Sequence, residues 1–300
     1  MPFSFSTDLN VLIAISLLCW STWGLFDKKA LEGAGHLDVL LFQHIYYLLE
    51  VPVIWLLLNL LYQGGWTVAP LVWLWTGLGS LSSSGGMLFY LVAMARAEAS
   101  FVLGITAAYP LIVQIFAYFF LHEALVPERL LGSLLVGIGV GLVGSSARSH
   151  EISKKHHKTT LLMCLIATLL WGVTGLFDKK ALGLDLPFKI YYARCVWDAV
   201  ILALMLLVFR LINYKVAYKS PKAWKYSGFS SICLSLGTLS YMFAMTMATA
   251  SYVIVITGCY PLLMYLGAVI FLKEKLSKMR LAGVILVVGG GLMVQNTQAL

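Results

Sequence analysis

The chain has 300 residues, of which 60% are hydrophobic and 11% charged, with a mean hydropathy of +0.88. Soluble domains carry about a quarter charged residues, so this composition excludes a soluble globular protein and points to a polytopic membrane protein. The net charge of +8 does not signal a nucleic-acid partner, because Lys and Arg gather at the ends of apolar runs, where they set topology and meet anionic lipid head groups.

A hydrocarbon core of about 30 Å needs about 20 apolar residues per helix. Ten such runs occur, near 9–30, 39–61, 70–95, 100–120, 128–146, 159–181, 187–210, 225–247, 251–271 and 279–295. They predict an all-α polytopic membrane protein with ten transmembrane helices. The first run has no basic region ahead of it and no clear cleavage site, so it reads as a retained helix.

The first span ends on Trp20-Ser21-Thr22-Trp23-Gly24-Leu25-Phe26-Asp27-Lys28-Lys29-Ala30-Leu31. The sixth span returns to it as Trp171-Gly172-Val173-Thr174-Gly175-Leu176-Phe177-Asp178-Lys179-Lys180-Ala181-Leu182, at a spacing of 151 residues. The same offset relates Ala99-Ser100 to Ala250-Ser251, Tyr109-Pro110 to Tyr260-Pro261, Glu123 to Glu274, and Arg129 with Gly132 to Arg280 with Gly283. Between these anchors Tyr46-Tyr47 pairs with Tyr191-Tyr192 at an offset of 145, which implies a shorter second copy there. The expected organisation is a five-helix repeat over 1–146, a polar link over 147–158 and a second five-helix repeat over 159–300.

In the first and sixth spans, Trp20, Gly24 and Lys28, like Trp171, Gly175 and Lys179, recur every fourth residue and share one helical face. That stripe either lines a cavity, with the lysines at its mouth, or closes the helix with snorkelling lysines and packing tryptophans. The second span carries Tyr46 and Glu50 on one face, and the seventh carries Tyr191, Arg194 and Asp198. A charge at mid-membrane costs about 2.5–3.5 kcal/mol on insertion scales, so these groups face a polar interior or one another. The structural alternatives are an Arg194–Asp198 pair or a Glu50–Arg194 tie between the halves. Glu50 is otherwise the candidate carboxylate for proton coupling or cation recognition.

Spans three and eight hold the small-residue stretches 82–86 and 235–238, which suit close packing or an exposed backbone, together with the matched Tyr90 and Tyr241. Pro110 and Pro261 fall mid-span in spans four and nine. A bend there frees carbonyls, and interrupted helices at equivalent positions mark the site in inverted-repeat transporters. Both are candidate gating residues, and Tyr109 and Tyr260 beside them are paired site candidates. The Gly-rich spans five and ten suit close packing or a subunit contact, with the oligomeric state left open. The five cysteines lie in apolar runs without ligand spacing. No metal, cofactor or catalytic motif is visible.

The order Trp171-Gly172 then Lys179, Tyr90 with Ala93, Tyr109-Pro110, Glu123 and Gly132, each with its partner in the other half, resembles the EamA family of the drug/metabolite transporter superfamily. The resemblance spans about residues 10–295. It implies two antiparallel five-helix repeats around a central cavity, working as a secondary carrier by alternating access. It carries functional positions to Lys28, Lys179, Tyr90, Tyr241, Pro110 and Pro261. Ser21, Gly24 and Gly175 depart from the usual pattern, which implies a differently shaped cavity.

The expected function is secondary transport of a small polar or amphipathic metabolite, with an amino acid or related zwitterion favoured and coupling to protons or a counter-substrate. An organic cation, quaternary ammonium compound or drug is the alternative, and a membrane-embedded enzyme a distant one. The substrate classes are separated by whether Arg194 is free or neutralised, because an aromatic cavity with a spare carboxylate suits a cation. The expected location is the cell (inner) membrane. Four Lys and Arg residues lie on the side holding both termini and sixteen on the other. The positive-inside rule therefore places the link in the cytoplasm and the termini outside, opposite to the cytoplasmic termini the resemblance implies.

Overall fold

The computed structural model describes residues 9–62, 67–97, 99–106, 109–145, 154–260, 262–263 and 278–297. Within them every regular element is a helix. The first repeat holds α1 (Leu9–Leu31), α2 (His36–Tyr62), α3 (Pro70–Arg96), α4 (Ala99–Thr106), α5 (Tyr109–Phe116) with a π-turn over Ala117–Leu121, and α6 (Pro127–Ser145). The second holds α7 (Lys154–Leu182), α8 (Pro187–Leu211), α9 (Pro221–Met247), α10 (Ala250–Thr257) and α11 (Lys278–Gln295). Helix α7 thus opens inside the stretch expected to be link. Pro70, Pro127, Pro187 and Pro221 open their helices, where a missing N–H leaves no bond unmade.

Among the described residues, α1, α2, α3, α7, α8 and α9 are long and apolar enough to cross a membrane. The expected ten is therefore matched directly in six, with shorter helices at the other four places. The outer surface is apolar, with Leu18, Leu60, Leu81, Ile232 and Ile285 more than half exposed, while Asp27, Gln43 and Asp178 are buried. That distribution suits lipid outside and a polar interior.

The 145-residue offset between the tyrosine pairs is overturned. α2 and α8 start at His36 and Pro187, and α3 and α9 at Pro70 and Pro221, each 151 apart. The structural counterpart of Tyr46 is therefore Trp197, and that of Tyr47 is Asp198.

The repeats interlock, with α1 packed on α9, α3 on α7, α2 on α8 and α6 on α11. Large rings of one copy seat on glycines of the other. A Cβ at Gly237 would meet the Trp20 indole at 2.5 Å, and one at Gly86 would meet Trp171 at 2.6 Å. Likewise a Cβ at Gly228 would meet Tyr46 at 2.8 Å, and one at Gly77 would meet Trp197 at 2.7 Å. Only glycine permits these approaches.

Among the described residues, span four is made of two helices, α4 and α5. α4 ends at Thr106, and Pro110 sits in the first turn of α5, where its ring removes no hydrogen bond. In the second copy α10 ends at Thr257 and a turn at Gly258 and Cys259 precedes Tyr260; Pro261 lies outside the described residues. The Pro110 ring lies against Gly258, 2.5 Å from where a Cβ would stand, so the two interruptions meet.

Candidate functional site

A cavity of about 150 Å³ lies between the repeats, comparable to an engineered cavity that admits benzene. Its walls include eight of the expected site residues: Trp20 from α1, Tyr109 from α5, Trp171 from α7, Tyr191, Arg194 and Asp198 from α8, Tyr241 from α9, and Tyr260. The rings fall into two groups, one around Trp20 and one around Trp171. Trp20 lies 5.2 Å from Tyr241 and 6.4 Å from Tyr260, centroid to centroid, and Trp23 lies 5.8 Å from Trp171. Tyr109 pairs with Thr257 and Tyr260 with Thr106, so each tyrosine meets the threonine of the other copy. Trp171 Nε1 donates to the Ser83 carbonyl at 3.3 Å, and the Ser82 and Thr174 hydroxyls lie 2.8 Å apart.

Asp178, Arg194 and Asp198 line the same cavity. Arg194 Nη1 donates to both carboxylate oxygens of Asp178, at 3.0 and 2.8 Å, and both side chains are nearly fully buried. Neither of the expected alternatives for Arg194 is formed, neither the pair with Glu50 nor the pair with Asp198 one turn along. Asp198 lines the cavity and makes no ion pair among the described residues. His44 also lines it, with Nδ1 placed 2.9 Å from the Leu40 carbonyl and Nε2 3.0 Å from Ser84 Oγ. Since Nδ1 must donate to a carbonyl, Nε2 accepts from the serine hydroxyl.

The remaining candidates lie elsewhere. Glu50 stands behind the wall, accepting from the Tyr191 hydroxyl at 2.7 Å and from the Ser235 hydroxyl, so it positions a cavity residue. Tyr46 packs on α9 and donates to the Trp224 carbonyl at 3.1 Å. Tyr90 is fully buried between Trp23 and Trp171, at 4.7 and 5.4 Å. Lys28 and Lys179 do not line the cavity. Lys28 donates to the carbonyls of Met94 and Ala97 at 2.8 and 2.9 Å, and Lys179 to those of Met245 and Ala248 at 2.6 and 2.7 Å. Each closes the C-terminus of a neighbouring helix, where carbonyls lack partners and a cation is favoured.

Sequence reasoning did not single out Asp178, His44 or Tyr47 as cavity residues. Asp178 had a usable signal, being an acid kept letter for letter inside the duplicated motif. His44 and Tyr47 had none beyond their place in an apolar run.

Interlocked helical repeats around a buried polar and aromatic cavity, with an apolar outer surface, define a membrane carrier fold. The EamA-like transporter family model matches residues 9–145 and again 158–295, so the chain belongs to that family. A protein of known crystal structure shares the fold, with a TM-score of 0.75 at 17% identity over 96% of this chain and 98% of its own. No curated protein matches the chain significantly.

Proposed function

We propose that the chain is a secondary transporter that carries a small organic cation by alternating access through the central cavity. The observation that carries this reading is the commitment of Arg194 to Asp178. With the guanidinium neutralised, Asp198 is the carboxylate that faces a cavity walled by Trp20, Trp171, Tyr109, Tyr241 and Tyr260. Each ring face can hold a quaternary or primary ammonium by about 0.5–2 kcal/mol, and the carboxylate supplies the complementary charge. A zwitterion would need a free cation for its carboxylate, and Arg194 would have to leave a buried partner to provide one.

In this reading the interrupted segments at Tyr109 and Tyr260 form the midpoint about which the two copies exchange packing, and the interlocked helix pairs move as the rigid units. Labelled choline in counterflow across liposomes tests the proposal. Expected is exchange that unlabelled choline competes and that Asp198→Asn abolishes. Exchange of a neutral amino acid with no choline movement would overturn the cation reading in favour of the zwitterion.

A further inference from the structure

The duplication lets each polar group be compared with its counterpart 151 residues away, and beside the aspartate of the repeated motif the copies differ by a full charge. Asp178 is balanced by Arg194, sixteen residues along the chain. The counterparts in the first repeat are Asp27 and Gln43, also sixteen apart. Gln43 Nε2 donates to Asp27 Oδ1 at 2.8 Å and to Ser230 Oγ at 3.2 Å. The amide therefore reproduces the contact of the guanidinium without its charge.

Asp27, Gln43, Ser227 and Ser230 are all wholly buried, at 0% exposure. Asp27 Oδ2, Gln43 Oε1 and Ser227 Oγ have no hydrogen-bond partner among the described residues, and Ser227 lies one helical turn before Ser230 on α9. Among the described residues no Lys or Arg forms an ion pair with this carboxylate. On α1, Lys28 turns its ammonium to the Met94 and Ala97 carbonyls. Helix α2 adds Tyr47 and α3 adds Tyr90, both phenols within electrostatic reach of Asp27, while α9 adds the two serines. Helices α4 and α10 carry no Asp, Glu, Lys or Arg. A lone buried carboxylate is costly unless neutralised, and a set of carboxylate, amide carbonyl and hydroxyl oxygens suits a hard cation.

We propose that Asp27, Gln43 and Ser227 seat one monovalent cation, a proton or an alkali-metal ion, in the electrical place that Arg194 fills in the other repeat. The seat is separate from the substrate cavity and one helical turn from it. Trp23 precedes Asp27 by four residues and Tyr47 follows Gln43 by four, and both line the cavity. Occupancy of the seat therefore bears on the cavity wall, as a coupling ion requires. That the ion travels with a solute rests on the transporter reading; its binding does not.

The test uses full-length protein in detergent at fixed pH, with radiolabelled sodium as the first probe. The second, in sodium-free buffer, is proton uptake followed with a pH indicator. Either saturable sodium binding at one ion per chain, or one more titrating group than in the Gln43→Arg variant, is expected of the native chain. Gln43→Arg supplies the missing charge internally and is expected to lose that signal while eluting as a folded species. Asp27→Asn is expected to lose it too, which keeps the test standing should the arginine fail to fold. The two arms separate the ions. The proposal is overturned if the native chain shows neither signal, or if both variants retain it. No transported solute enters the measurement, so its failure leaves the choline reading untouched, and failure of choline counterflow leaves the seat untouched.

Discussion

Replacing Asp178 by Asn leaves the Arg194 guanidinium buried without its counter-charge, a change that costs about 3–5 kcal/mol in buried pairs. A lower melting temperature by fluorescence-detected size exclusion is expected. The double variant Asp178→Asn with Arg194→Gln installs a neutral hydrogen-bonding pair and is expected to recover much of the loss. Equal melting of the single and double variants would remove the pair from the fold's support. Glu50 calls for a different expectation, because both its oxygens are engaged by Tyr191 and Ser235. Glu50→Gln keeps an acceptor for the Tyr191 hydroxyl, whereas Glu50→Leu removes a hydrogen bond to a charged group, worth about 1.5–3 kcal/mol. KM for labelled choline, the probe of the proposed function, is therefore expected to rise roughly ten- to hundredfold in Glu50→Leu and far less in Glu50→Gln. At this scale the sequence disclosed the aromatic wall, since Trp20, Trp171, Tyr109 and Tyr260 repeat at a fixed spacing. It did not disclose the partner of Arg194, because Asp178 lies on a different helix and only the fold brings them together.

Helix pairs are set by the approach of rings to glycines, and this is the scale at which the small-residue stretches acquire meaning. Gly86→Ala and Gly237→Ala each place a methyl within van der Waals overlap of an indole, at 2.6 Å from Trp171 and 2.5 Å from Trp20. Overpacking of this kind costs about 1–3 kcal/mol. Because the displaced indoles also line the cavity, uptake is expected to fall more steeply than thermal stability, and measuring both in parallel liposome and melting assays checks it. Pro110→Ala carries the opposite expectation. Its nitrogen stands in the first turn of α5, so alanine restores no intrahelical bond, and near-native uptake is expected. A large loss would return the proline to a gating role. The six long helices were legible from hydropathy alone, whereas the interruption ahead of Tyr109 was read as a proline bend because a run of apolar residues gives no sign of where one short helix stops and the next begins.

For the whole molecule, the balance of charge at the two ends decides orientation, and the structure refines which charges count. Lys28 and Lys179 are spent on helix carbonyls, one at each end, and Arg129 at the end holding the termini is held by the hydroxyls of Thr249, Ser251 and Thr297. Removing all three lowers the smaller count proportionally more than the larger, so the bias toward the link side deepens. Lys222 at that same end meets Glu32 at 2.5 Å, but both side chains are about half exposed, so the pair is screened and the excess of Lys and Arg persists. The positive-inside rule rests on such residues in short loops close to the spans and gives little weight to acids. The expected orientation therefore has residues 147–158 in the cytoplasm and Thr297 at the outer face. It also places the charged end of the cavity, with Asp178, Arg194 and Tyr241, nearer the outside, since α7 and α9 end and α8 begins on that side. A reporter fused after Leu300 and active only in the cytoplasm is expected to stay silent, while one inserted after Ser149 is expected to be active. A strong signal from the fusion after Leu300 would reverse the orientation and place the same cavity end nearer the cytoplasm, without altering which residues form it.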